Sequence, residues 1–219
     1  RLGELPSRFR FRVVCGATGS GKSRLIEALA AQGAQVLDLE RRASHRGSVL
    51  GELPGEPQPS QKWFDSMAWS ALCKLDASHP VFVEAESKKI GQIQVPTALL
   101  ERMRAGECLR IEAPVTERVR FLIGEYRHFL QDPSALKEKL NCLAGLYGRA
   151  VIDRWLAQTD AGAWEELVTD LLVSHYDPAY LRATRGNFLN YDKARTLRLE
   201  RLDENGFEHA AAELVKNPA

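Results

Sequence analysis

One stretch near the start of the chain, Gly16-Ala17-Thr18-Gly19-Ser20-Gly21-Lys22-Ser23, fits the pattern GxxxxGK[ST] in full. It constrains the fold because this pattern acts only between a strand and a helix. Both flanks are present. Phe11, Val13, Val14 and Cys15 are apolar and include two β-branched valines, as in a buried strand, and Leu25, Ile26 and Leu29 give residues 22–32 a helical face. The glycines let the backbone curl so that successive N–H groups point inward, and the start of the following helix adds partial positive charge. Gly16 through Ser23 are therefore predicted to cradle phosphate. Lys22 is expected to reach the terminal phosphates and Ser23 to ligate Mg²⁺.

The rest of the first half alternates in the same way. Residues 35–39, 80–85 and 108–111 read as strands, and 63–75 and about 96–104 as helices, with Pro96 suited to a first turn. Residues 41–62 are irregular, punctuated by Gly47, Gly51, Pro54, Gly55, Pro57 and Pro59. This order predicts an α/β fold, a P-loop NTPase-like parallel sheet flanked by helices. Residues 115–130, 134–147, 149–157 and 163–175 then carry helical patterns, a strand follows at 196–199, and a last helix at 207–216. The expected division is 1–114 as the core, 115–190 as a helical subdomain or lid, and 191–219 as a strand and helix returning to the core.

Composition narrows the function. With 30 Lys+Arg against 29 Asp+Glu the net charge is +1, so any nucleic-acid surface must be a local patch. The four cysteines, Cys15, Cys73, Cys108 and Cys142, form no CxxC pair, which argues against a zinc site or redox dithiol. Free thiols in a reducing cytoplasm are expected. No run of about 18 apolar residues is present, so no membrane partner is expected. The chain starts at Arg1 without Met, which suggests processing or excision from a longer protein.

Ligands of an open α/β sheet sit beyond the carboxyl ends of its strands. Asp38 and Glu40 follow the second strand, and Glu84 and Glu86 end the third. Glu84 is the candidate carboxylate to join Ser23 at the metal. The opposing reading is helix capping, or pairing with Arg42, Lys88 and Lys89. The long loop after the second strand carries His45, Arg46 and Gly47, then Gln58, Gln61 and Lys62. Loops of this length are usually functional or disordered. By analogy with P-loop kinases, Asp38, this loop and Glu86, Ser87, Lys88 and Lys89 are predicted to hold a second substrate. Arg182, Arg185, Lys193, Arg195, Arg198 and Arg201 lie among Phe188 and Tyr191, and Arg118, Arg120 and Arg127 share one helix. Basic residues among aromatics suit RNA phosphates and bases, and equally suit solvated faces with ion pairs. His175-Tyr176-Asp177-Pro178 reads as a helix end and a turn.

Together, GATGSGKS, VLDLE, ASHRGS, PQPSQK, VFVEAESKKIG followed by QVP, and HYDPAY resemble the C-terminal P-loop domain of bacterial tRNA 2-selenouridine synthases, from about Arg12 to Arg185. The resemblance implies replacement of sulfur by selenium in wobble 2-thiouridine. Selenophosphate is the implied donor, and S-geranylation from geranyl diphosphate the implied activating step. It also implies an N-terminal rhodanese-like domain carrying the nucleophilic Cys. No segment before Arg12 matches that domain, so a fragment or truncated product is expected. The loop's ligand is then ATP, GTP or geranyl diphosphate, with tRNA as partner. Two other readings compete: a small-molecule or nucleoside kinase using Asp38 or Glu84 as base, and a nucleotide-gated RNA-binding module.

Overall fold

Val13, Val14 and Cys15 have no solvent exposure because their strand is the middle of a five-stranded sheet. The computed structural model describes residues 3–216. Residues 1–2 and 217–219 of the expected outer segments lie outside that range. The central strand β1 (Phe11–Gly16) leads through the phosphate loop into α1 (Lys22–Ala31). The short β2 (Gln35–Val36) and helices α2 (Leu39–Ala43) and α3 (Gln61–Lys74) precede β3 (Val81–Glu84). A hairpin of β4 (Lys89–Ile90) and β5 (Ile93–Gln94), then α4 (Thr97–Arg104), leads to β6 (Glu107–Glu112). Near the end come β7 (Arg195–Arg198) and α12 (Glu204–Lys216). The sheet order is β2-β3-β1-β6-β7, and every pairing in it is parallel. Such a sheet is covered on both faces, which is why β1 and β3 near its middle are buried along nearly their whole length without alternation.

One face packs α1 and α12 through Val14, Leu25, Ile26, Leu29, Phe207 and Leu214. The other packs α3 and α4 through Val13, Phe64, Leu72, Leu99 and Met103. Between β6 and β7 lie α5 (Val115–Glu125), α6 (Arg127–Gln131), α7 (Pro133–Asn141), α8 (Ala144–Tyr147), α9 (Arg149–Asp160), α10 (Trp164–Leu171) and α11 (Asp177–Asn187). Of these, α6, α7, α9 and α10 share a third core of Phe129, Leu136, Leu140, Ile152, Trp155, Leu167 and Leu171. Trp155 is fully buried, and its indole N–H donates to Asp170 at 3.0 Å.

The structure differs from the sequence reading in four places. The strand expected over 35–39 stops at Val36, because the Asp38 carboxylate accepts from the Arg41 N–H (2.8 Å) and starts α2. The hairpin β4–β5 is an addition. The helix expected over 115–130 breaks at Tyr126. His175-Tyr176-Asp177-Pro178 does not end a helix: α10 continues through a wider π-helical turn, Leu172–Tyr176, straight into α11.

Candidate phosphate site and its cleft

β1 ends beside β3 and β6, so the loop 16–23 opens at the carboxyl edge of the sheet. Gly19 and Gly21 have φ of 76° and 80°, left-handed values that L side chains rarely adopt, and they bring the backbone around. A Cβ at Gly21 would also sit 2.4 Å from Phe207 of α12. The N–H groups of Gly19, Gly21, Lys22 and Ser23 have no internal acceptor among the described residues. Lys22 Nζ folds back onto the Gly16 carbonyl (2.9 Å) and lies 5.5 Å from the centre of the Tyr180 ring. The Gly16 N–H donates to Tyr180 Oη (2.6 Å), and burial pushes that phenol's pKa up.

The loop's outer side is held from the helical region. Arg118, only 5% exposed, donates twice to the Thr18 carbonyl (2.9 and 2.8 Å) and forks onto both Asp177 oxygens (3.0 and 2.6 Å). Arg118 belongs to α5, and Asp177 and Tyr180 to α11. The HYDPAY segment therefore supplies two contacts to the phosphate loop.

On the sheet side, Ser23 Oγ donates to Glu40 Oε2 (2.6 Å). The expected partner, Glu84, is elsewhere. Fully buried, it accepts the N–H groups of Leu39 and Glu40 on Oε1 (2.7 Å each) and so fixes the start of α2. Its Oε2 is buried without a partner. Burial, with Asp38 and Glu40 nearby, raises the Glu84 pKa well above its usual value. Glu86 is raised likewise, by burial and by Glu40 and Glu84, with Lys22 opposing. Burial also raises Asp38 and lowers His45. Among the described residues no three His, Cys, Asp or Glu side chains converge as a metal set. Ser23 with Glu40 fits Mg²⁺, which takes one or two carboxylates and fills its shell with water and substrate phosphate.

Thr18, Gly19, Gly21, Lys22 and Ser23 of the phosphate loop, with Glu40 and Tyr180, line one cleft of about 550 Å³. Asp38, His45, Arg46, Gly47, Glu86 and Ser87 line it as well. Arg46 is tied to Glu125 (2.8 Å to the carbonyl, 3.2 Å to the carboxylate) and lies over the Tyr126 ring. At its inner end the cleft shares Thr18, Ser48, Leu122, Tyr126 and Tyr176 with a second pocket. That pocket is walled almost entirely by carbon, including Ile123, Phe129, Leu136, Trp164, Leu167 and Val168.

The family model described as the tRNA 2-selenouridine synthase AAA domain matches residues 9–147. The chain belongs to the tRNA 2-selenouridine synthase family. It is 40% identical over 199 residues to the tRNA 2-selenouridine synthase of Verminephrobacter eiseniae, covering 78% of this chain and 53% of the relative. With that of Alcanivorax borkumensis it shares 34% over 196 residues, covering 77% and 53%. With that of Aeromonas salmonicida it shares 30% over 208 residues, covering 82% and 55%. The chain thus spans about half the length of these relatives.

Several residues singled out from the sequence have other duties in this tRNA 2-selenouridine synthase family member. Gln58 donates to the carbonyls of Ala43 and Ile90 and accepts the Gln92 N–H. Gln61 clamps Gln94 in the same two-way manner (2.8 Å each). Both glutamines serve as backbone substitutes that fasten the hairpin, not as cleft ligands. Lys62, Lys88 and Lys89 are exposed and lie off the cleft wall. Arg118 is buried at the phosphate loop and unavailable to RNA. Phe188 and Tyr191 are core residues, so no base stacks on them. Arg120, Arg185, Arg195 and Arg198 are ion-paired with Glu117, Asp192, Glu213 and Glu112, while Arg127 and Arg182 are exposed. Two further residues, Tyr180 and Tyr126, act at the site without being singled out for it. The HYDPAY segment marked the first, and no pattern marked the second.

Proposed function

We propose that this chain is the phosphate-binding domain of a tRNA wobble-uridine modifying enzyme. In this reading a geranyl group from geranyl diphosphate is placed on the sulfur of 2-thiouridine, and selenium from selenophosphate later replaces that sulfur. The observation that carries it is the junction of the phosphate loop with the apolar pocket across Thr18, Leu122, Tyr126 and Tyr176. A prenyl diphosphate has that two-part character, whereas a nucleoside or sugar needs polar partners the pocket lacks. The pocket has room of about 60 Å³, so a geranyl tail enters only if α5 and α10 part.

The chemistry follows from charge. The sulfur attacks the allylic carbon, the carbon–oxygen bond breaks, diphosphate leaves and the base's N3 proton goes to solvent. Lys22 and the loop N–H groups offset the charge that builds on the leaving group. Ser23 and Glu40 would hold Mg²⁺, which supplies further positive charge there when bound. The selenium step needs an activated thiol, accessible and in an electropositive setting. Cys15 is buried, and its hydrogen bond with Cys108 together with burial raises its pKa. Cys73 and Cys142 are exposed but do not line the cleft.

The test is calorimetry with geranyl diphosphate, inorganic diphosphate and ATP, each with Mg²⁺. Tightest binding of geranyl diphosphate supports the reading. Preference for ATP, with phosphate transferred to a small alcohol, replaces it with the kinase reading. Incubation with thiolated tRNA, selenophosphate and geranyl diphosphate, followed by nucleoside mass spectrometry, should show no 2-selenouridine from this chain alone.

A further inference from the structure

Trp63 is 60% exposed, an unusual placing for the largest side chain. It sits in the first turn of α3, whose start is capped by Ser60 and clamped by Gln61 to Gln94 of the hairpin. In that hairpin Ile90 and Ile93 face the core, so Lys89 and Gln94, directly opposite each other, share the outer face. Ser87 and Lys88 continue the exposed surface. Ser87 also lines the phosphate cleft, which makes this corner continuous with the cleft mouth. Lys62, Lys88 and Lys89 have no ion-pair partner among the described residues, unlike most of the arginines discussed above. The neighbouring carboxylate, Asp65, accepts from Gln61 (2.8 Å).

We infer that this corner, exposed Trp63 and Lys62 at the start of α3 with Lys88 and Lys89 on the hairpin clamped to it, binds single-stranded RNA, with the indole stacked on a base and the lysines on flanking phosphates. The inference rests on the tRNA reading above and locates that partner. An exposed aromatic and three unpaired lysines on two clamped elements suit a polyanion with flat bases. They suit a protein partner poorly, since lysine is depleted at protein interfaces. In a chain of net charge +1, this is a local concentration of unopposed positive charge. The two glutamine clamps then gain a purpose, because they hold the hairpin lysines against the start of α3. A strand crossing Trp63 continues past Ser87 to the cleft.

The experiment is fluorescence anisotropy of a labelled, unmodified anticodon stem–loop RNA over a salt series, with a blunt RNA duplex as comparison. Trp63→Ala is expected to weaken stem–loop binding about tenfold with the salt slope unchanged. Trp63→Phe should retain most of the affinity. The triple variant Lys62→Ala, Lys88→Ala, Lys89→Ala should flatten the slope of log K against log salt by about 2. All four side chains are exposed, so unchanged thermal midpoints should confirm intact folding. If both variants bind like the parent chain with the same slope, this surface is wrong and the tRNA reading survives. Equal affinity for the blunt duplex overturns the single-strand assignment. No RNA binding by the unsubstituted chain overturns both.

Discussion

On the sheet side of the cleft, Asp38 and Glu40 are set by hydrogen bonds at the start of α2 and at Ser23, and the fully buried Glu84 holds the Leu39 and Glu40 N–H groups. On the helical side, Leu122, Tyr126 and Tyr176 are set by packing among α5, α10 and the π-helical turn. The first wall is polar, and burial raises the pKa values of its Asp38 and Glu86 carboxylates. The second is apolar and joins the sheet side through Arg118 and Tyr180. The difference divides the cleft into a polar wall held by hydrogen bonds and an apolar wall held by packing.

The largest expected effect tests whether the walls are separable. Trp155→Ala removes the biggest side chain of the helical core and should cost about 3–5 kcal/mol. Hydrogen exchange should show α9 and α10 losing protection while β1 keeps it. Equal loss in β1 would make the two regions one cooperative unit and end the distinction. Arg118→Ala comes next, at about 3 kcal/mol, because it strands Asp177 and the Thr18 carbonyl together. Arg118→Lys keeps the charge but not the fork, and should restore only part of the thermal midpoint.

Lys22→Ala acts at the phosphate loop, where Nζ meets the Gly16 carbonyl and the Tyr180 ring. It should lower affinity for diphosphate ligands tenfold or more, about 1.5–3 kcal/mol, with the thermal midpoint unchanged. Unchanged affinity in calorimetry would remove the loop from the site. The smallest effect is a pH slope. Glu84 has a folded pKa raised above its usual 4.5, so the stability it lends is full below that pH and is lost as pH rises through the raised value. Glu84→Gln keeps an acceptor for the Leu39 and Glu40 N–H groups but does not titrate. Thermal midpoints measured upward from about pH 4.5 should therefore fall less steeply in the variant. An unaltered slope would assign the dependence to Glu86 and Asp38.

What the sequence conveyed follows the range of the forces involved. The phosphate loop, the strands and the family were legible because they depend on local pattern: GxxxxGK[ST], β-branched runs and helical spacing. The placing of Glu84 was not, since its partners are N–H groups 45 and 44 residues away in the chain. Arg118 looked like one of several surface arginines, and only the fold brings it to Thr18, 100 residues distant. Gln58 and Gln61 looked like ligand donors because an amide that mimics backbone has the same atoms as one that binds substrate. Leu37-Asp38-Leu39 read as strand by apolarity, but the short polar side chain between the leucines favoured a cap.

The π-helical turn at Leu172–Tyr176 fixes the rotational phase of everything after it. One residue advances an α-helix by about 100°, so a single deletion that restored ordinary winding would swing α11 by more than a quarter turn. Tyr180 would leave the Gly16 N–H and Asp177 would leave Arg118, although no residue that touches the phosphate loop had been altered. The spacing of that helix is thus itself part of the ligand site, and a gain or loss of one residue between Leu171 and Asp177 should be as damaging as substituting the loop.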